Sequence, residues 1–547
     1  MGDTMKRYIV SNVQAILRKP SEKIIAIGKW GNSYIVFASD DAKKEIENIF
    51  VGNIKITKLS DTKELMDNIE YIYKDGKFLD DNPTFDDKYE TQNNTLSIPV
   101  KIIKTNEGIT YIPTKIQYDD TGANIVHMRK EYNIIEPVIL IPFNVKDVYR
   151  LGNDIIFDIE FDFGTEKIPI NGTIKEILDK IKHLPVYTND KELDFVLRTL
   201  LSYVTRMKKI GVAYSVIGVT IDNNQFVVTY PQTTKILPKS DQQRTILSRI
   251  KRYNIEPTIE LIETYIKYIK NHEWGLYSLM LLGYSVISPI IYQIPEIEVR
   301  PDVVIIGKHG TAKTRTSEII VGTLYGSIME SGEFITSVSR MADLLTSTTI
   351  PVIIDEIEKI GDKDTFSVLK SRTTGEIDFV RKTPDQRQIR MRYTTPAILI
   401  SNRADVLSDE NYIKGRTLLI DTGLFNQRIK MKKKPPKEYT KLRKNNTIIG
   451  VDLWNYIASQ YTPENIVDTI YDRVHKIYKY NIDLIDIRRP QIYALVSLGL
   501  ELFNEYLKYK GINKKLYNKK ITKDIIKYEE KTIIDVYETL NNHIATY

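Results

Sequence analysis

The stretch Val303-Val304-Ile305-Ile306-Gly307-Lys308-His309-Gly310-Thr311-Ala312-Lys313-Thr314 constrains this chain more than any other. Four branched apolar residues predict a buried strand, a glycine-bearing turn follows, and Lys-Thr opens a helical pattern. A phosphate-binding loop needs that order of strand, turn and helix. Gly307 and Gly310 allow a tight turn whose N–H groups point inward at an anion, and the helix N-terminus adds partial positive charge. On this reading Thr311 and Ala312 complete the cradle, Lys313 reaches the β- and γ-phosphates, and the Thr314 hydroxyl holds Mg²⁺. Ala312 stands where the usual pattern has its second Gly. The bland alternative is a glycine-rich turn between a strand and a helix.

About forty residues on, Pro351-Val352-Ile353-Ile354-Asp355-Glu356 predicts a second short apolar strand ending in two carboxylates. Ligands of parallel sheets sit beyond the carboxyl ends of the strands. That places Asp355 beside Thr314 to complete the Mg²⁺ shell, and Glu356 where it polarises an attacking water. A third strand, Ala397-Ile398-Leu399-Ile400-Ser401, ends in Asn402, whose amide suits orienting that water. Each strand end is common alone. The three in this order point to ATP hydrolysis with Mg²⁺.

These residues resemble the AAA+ ATPases, and within them the hexameric DNA helicases of the minichromosome maintenance (MCM) and superfamily 3 type. Gly310-Thr311-Ala312-Lys313-Thr314 is similar to the MCM phosphate loop, which also carries Ala before Lys, and Asp355-Glu356-Ile357-Glu358-Lys359-Ile360 is similar to that family's Asp-Glu-Phe-Asp-Lys-Met. The short interval between the two elements and Leu399-Ile400-Ser401-Asn402 look more like superfamily 3. The chain departs from MCM in lacking the long insertion before the Asp-Glu strand, and has His309 where Pro is usual. The resemblance covers 300–425, under a quarter of the chain.

The resemblance implies a pore-lining hairpin inserted before the Asn-bearing strand. Residues 376–393 stand there: Ile377 and Phe379 alternate on one arm, Ile389, Met391 and Tyr393 on the other, with Thr383-Pro384-Asp385-Gln386 as turn chemistry. At the tip and its flanks, 381–392, Arg381, Lys382, Arg387, Arg390 and Arg392 oppose the single acid Asp385. Cations without base-specific contacts suit a loop that moves along a DNA backbone; a solvated hairpin is the other reading. The resemblance also implies an arginine acting from a neighbouring subunit. Arg416 occupies that place, with Arg403 and Arg372 as rivals able instead to form structural salt bridges. A sensor-type arginine on a C-terminal lid is the last implied part, for which Arg489, in Arg488-Arg489-Pro490 at the start of a helical pattern, is the candidate; helix-end decoration is its alternative.

At 547 residues the chain has room for three or four domains. It has no cysteine, which excludes disulfides and Cys-ligated zinc, and its six histidines lack metal-ligand spacing. No apolar segment follows Met1-Gly2-Asp3-Thr4-Met5-Lys6, so no signal peptide is expected. The uncharged run 275–295 is long enough for a membrane span, but it holds Ser278, Ser285, Ser288, Pro289 and Gln293 and predicts a buried helix instead. A soluble cytoplasmic protein with no membrane contact is expected. Charge is uneven: residues 61–90 hold ten acids and four bases, 428–444 nine bases and one acid, and 508–527 eight lysines and one acid. Basic clusters are the footprint of nucleic-acid binding, and also of solvated Lys-rich segments.

The expected organisation is a β-rich N-terminal domain (1–150), a mixed α/β domain (151–238), a helical connector (239–300), an α/β AAA+ P-loop ATPase core (301–427), an extended basic linker (428–445) and an α-helical C-terminal lid and domain (446–547). Lys23 to Ile27 and Ser33 to Phe37 predict a hairpin, and 61–95 a helix followed by a loop. Asp154 to Asp162 alternates acids along a strand. Two such carboxylates can hold catalytic metals, as in archaeal-type primases, but no Ser-x-His follows, and one wet strand face is the simpler reading. Taken together, the chain reads as a ring-forming ATP-dependent DNA helicase and translocase, replicative for a plasmid or virus, and the resemblance implies a hexamer. An AAA+ protein remodeller or loader, or a DNA-binding assembly ATPase, stands as the alternative.

Overall fold

The computed structural model describes residues 6–11, 15–17, 22–30, 33–39, 42–51, 54–58, 70–74, 77–78, 90–92, 95–104, 110–119, 122–128, 133–184, 187, 190–238, 240–360, 363–373, 378–382, 388–403, 410–423, 436–480 and 482–544. The chain divides into two units, 1–213 and 214–547.

Antiparallel sheets build the first unit. Ile24–Trp30 and Ser33–Ala38 form the expected hairpin, with Ile27 opposite Val36. Where a helix was expected within 61–95, Glu70–Lys74 and Lys77–Phe78 are strands. Tyr71-Ile72-Tyr73 has the aromatic and β-branched residues that fit a pleated surface, and Glu70–Lys74 pairs along Ile24–Trp30. Asp154–Asp162 lies between Phe143–Leu151 and Lys167–Gly172. Its Phe157, Ile159 and Phe161 are buried, while Glu160 on the other face pairs with Lys146 and Lys167. Those lysines hold the Glu160 carboxyl below its usual range. Helix Ile174–Ile181, opened by a Thr173/Glu176 capping box, and helix Asp190–Met207 contribute Ile177, Ile181, Leu197 and Leu201 to the same core.

The second unit carries a five-stranded parallel sheet in the order Met329–Ser331, Val352–Asp355, Ala397–Ser401, Asp302–Ile306, Thr417–Asp421. Its central strands read as unbroken apolar runs because both sheet faces are covered. Val304 lies between Leu399 and Leu419, and Ile353 opposite Ile398. The strand ending at Asp355 is therefore separated from the strand before Gly307 by the strand that leads to Asn402. Since all five run the same way, their carboxyl ends share one edge.

Residues 240–295 are helical as expected, in Asp241–Ile250, Ile259–Asn271 and Leu276–Ile291. The last is buried on nearly every side and crosses helix Arg489–Tyr509 at a glycine pair. A Cβ on Gly499 would lie 1.9 Å from the Gly283 carbonyl oxygen, so the two backbones meet only because both residues lack side chains. Among the described residues no helix is long and apolar enough to cross a membrane. Within the basic run 428–444, Lys437–Arg443 is a helix where an extended linker was expected. Glu438 in its first turn and Lys441 and Arg443 in its last complement the helix dipole, and Tyr439 and Leu442 are buried. Helices Gly450–Gln460, Pro463–Tyr478, Arg489–Tyr509 and Lys519–Ile544 follow.

Candidate functional site

The loop after Asp302–Ile306 turns on three backbone features. Gly307 is wedged, since a Cβ there would meet Thr422 Oγ1 at 2.0 Å and Thr311 Oγ1 at 2.9 Å. Gly310 has φ +83°. Ala312 has φ 58° and ψ 26°, the left-handed region, and sits directly before helix Lys313–Tyr325. That conformation explains why a glycine is usual here. A methyl group fits, at a cost of about 1 kcal/mol in backbone strain. Among the described residues the amides of Lys308, His309, Gly310 and Ala312 meet no acceptor. A run of free N–H groups is what receives phosphate oxygens.

Lys313 is 5% exposed, and its ammonium donates to the Gly307 carbonyl (2.7 Å), the Lys308 carbonyl (3.0 Å) and Asn402 Oδ1 (2.8 Å). No carboxylate lies within ion-pair distance of it among the described residues. Burial pushes its pKa down, with Asp355 and Glu358 opposing from further off. Beside it the Thr314 hydroxyl donates to Asp355 Oδ2 at 2.7 Å, and Asp355 Oδ1 accepts the Glu356 amide at 2.9 Å. Thr314, Asp355, Lys313 and Asn402 are thus brought together at the carboxyl edge of the sheet. Glu356 follows in a left-handed conformation (φ 53°), its carboxylate 2.7 Å from Lys359.

A hydroxyl and a carboxylate in contact form a pair of hard oxygen donors, the chemistry Mg²⁺ takes when substrate phosphates and waters supply the rest of its shell. Both residues are half-buried, so the donor set fits Mg²⁺.

Three contributors escaped the sequence reading. Glu358 accepts the Asn402 backbone N–H (3.3 Å) and side-chain Nδ2 (3.1 Å) at one oxygen and the Ser401 hydroxyl (2.8 Å) at the other. Burial pushes its carboxyl up, but these hydrogen bonds prevail and hold it below the usual range. It fixes the Asn402 amide with its oxygen toward Lys313. Its only signal was a carboxylate two places after Glu356. Thr422, just past strand Thr417–Asp421, bonds Thr311 Oγ1 (2.9 Å) and braces the loop; nothing in its local sequence marks it. His272 packs against Thr316 of the loop helix, Nε2 to Oγ1 3.1 Å, while Nδ1 accepts the Trp274 N–H. Burial drives its pKa down to about 4.

The candidate arginines differ. Arg416 closes helix Glu410–Arg416, half-buried, immediately before strand Thr417–Asp421. Arg403 is exposed after Asn402. Arg372 is fully buried against Asp302 and takes the structural role that was its alternative. Arg489, the lid candidate, is fully enclosed, paired with Glu529 and with Glu530 at 3.2 Å, and donates to the Thr417 carbonyl at 2.6 Å. A guanidinium spent on two carboxylates and a carbonyl has no donor left for a nucleotide. The hairpin expected in 376–393 is present as Asp378–Lys382 paired antiparallel with Gln388–Arg392, Phe379 opposite Met391. Its turn, with Arg387, lies outside the described residues, as do the side chains of Arg381 and Lys382.

No known family model matches the chain, and no curated protein matches it. Among solved structures, a chain described as "SCCmec type IV Cch - active helicase" is 15% identical, with 77% of this chain and 79% of that one covered and a TM-score of 0.48. The A form apo structure of the NrS-1 C-terminal region is 9% identical over 69% of this chain and 90% of its own, with a TM-score of 0.26.

Proposed function

We propose that this chain is a ring-forming, hexameric ATPase of the AAA+ type that moves along DNA, as the replicative helicase of a plasmid or virus. One observation carries the nucleotide part: a buried lysine without a carboxylate partner, beneath a loop of free amides, beside a threonine bonded to a strand-end aspartate. In this reading Gly307, Gly310, Thr311 and Ala312 shape the cradle and Lys313 leaves its loop carbonyls for the β- and γ-phosphates. Thr314 and Asp355 hold Mg²⁺, which when bound neutralises charge on the phosphates. Glu356 exchanges Lys359 for the attacking water and takes its proton, Asn402 aligns that water, and Arg416 reaches the triphosphate of a neighbouring subunit. The hairpin with Arg381, Lys382 and Arg387 grips the strand. A remodeller of proteins has no use for five cations and one acid between 381 and 392, which is why the DNA reading is preferred.

ATP hydrolysis with and without single-stranded DNA, compared with Glu356→Gln, tests the scheme. We expect turnover that DNA raises and the variant loses. An Arg381→Ala, Lys382→Ala chain that still responds fully to DNA would return the protein to the remodellers. DNA-stimulated turnover without strand displacement would make it an assembly ATPase.

A further inference from the structure

Helices Arg489–Tyr509 and Lys519–Ile544 are joined by residues 510–518, and this loop is tied down. Asn504 accepts the Leu516 N–H at 2.8 Å and donates to the Tyr517 carbonyl at 3.1 Å. Ile512, Leu516 and Tyr517 are buried, and the Tyr517 hydroxyl meets Thr522 at 2.9 Å. Loop and helices wall a groove of about 850 Å³ lined by five lysines and two glutamates. Both acids are already engaged: Glu501 pairs with Arg473, and Glu505 accepts the Tyr461 hydroxyl at 2.7 Å. Lys514 is held by Glu263 at 2.9 Å. Lys508, Lys515, Lys519 and Lys520 are exposed, and among the described residues their ammonium groups have no acceptor. A solvated Lys-rich surface would leave its neighbouring acids free to compensate. Here they are turned to other partners, and four like charges gather around one concavity.

We propose that this groove binds the phosphodiester backbone of a single-stranded nucleic acid, through Lys508, Lys515, Lys519 and Lys520 and without reading bases. Cations along one wall track consecutive phosphates and need no contact with the bases. The groove is separate from the hairpin at 378–392 and does not depend on it.

The test uses the full chain without nucleotide and a labelled single-stranded oligonucleotide, with affinity measured across salt concentrations. Lys515→Glu, Lys519→Glu, Lys520→Glu should weaken binding about tenfold or more and reduce the salt slope by about 2, the value for three lost phosphate contacts on a single strand. The same three positions changed to Gln should move both quantities in the same direction. On the unaltered chain the oligonucleotide should protect these three lysines from acetylation, and polyglutamate should not. Unchanged affinity and slope in the Gln variant, or equal protection by polyglutamate, overturns the proposal; the second outcome would make the groove a seat for acidic peptide. Normal protection of these lysines by the oligonucleotide in the Arg381→Ala, Lys382→Ala chain separates the two surfaces.

Discussion

One strand, Asp302–Ile306, has a buried cation at each end, and the two are built on opposite principles. At its start Asp302 receives Arg372, the Tyr412 hydroxyl at 3.0 Å and the Ala397 amide at 3.3 Å, all away from water. Past its other end Lys313 is also buried but meets only carbonyls and an amide oxygen. The first end is neutralised, and its arginine clamps the helix Lys363–Thr373 to the sheet. The second keeps an uncompensated charge beneath a loop of free amides. Two buried cations on one strand thus teach how a structural site and a ligand site differ: by whether the counter-charge comes from the chain or from outside.

The largest expected effect breaks the first end. Arg372→Met leaves Asp302 buried without its counter-charge and should cost about 3–5 kcal/mol of unfolding free energy in urea melts, most of it regained when Asp302→Leu is added. Equal loss in single and double variants would show that the pair is not the source. At the second end, Lys313→Met should lower ATP turnover by roughly 10²–10³-fold while the melting midpoint stays level or rises, since an unpaired buried charge is removed. A drop in midpoint as large as that of Arg372→Met would erase the contrast.

Next comes His272, which holds the loop helix through Thr316. Its folded pKa of about 4 lies below the ordinary 6.5, so between these values the unfolded chain binds the proton more readily. Its stabilising contribution is present above pH 6.5 and is lost as pH falls toward 4, by about 3 kcal/mol. Unfolding followed at pH 7 and 4.5 should show that loss in the native chain and not in His272→Gln, whose amide can still donate to Thr316. The smallest effect is at Ala312. Replacing it with Gly relieves the left-handed strain and should raise stability by about 0.5–1 kcal/mol, with turnover retained. No gain would mean that the loop is not held in that conformation in solution.

Which parts were legible follows from range. The apolar runs before Gly307, Asp355 and Asn402 were readable because a strand covered on both faces has no alternation to blur it, and each ends in a residue whose chemistry is exposed. Arg372 was not separable from Arg416 in sequence, because its role is set by Asp302, seventy residues earlier and on another element. Glu358 and Thr422 were invisible for the same reason: one orients an amide across a neighbouring strand end, and the other braces the loop from the sheet's far strand. The strand at Glu70–Lys74 was hidden by a run of acids that suggested a polar helix, while its stability comes from pairing with Ile24–Trp30.

Strand Thr417–Asp421 ends the parallel sheet on one side, and its Leu419 N–H is taken by Glu529 at 2.9 Å. That carboxylate does for one exposed rung what another strand would do elsewhere. A version of the chain shortened ahead of Glu529 would bare the rung and strand the Arg489 guanidinium together, inviting edge-to-edge association between molecules. Trimmed forms made for crystallography should therefore retain Lys519–Ile544, and clumping on its removal would be the practical sign of what that carboxylate guards.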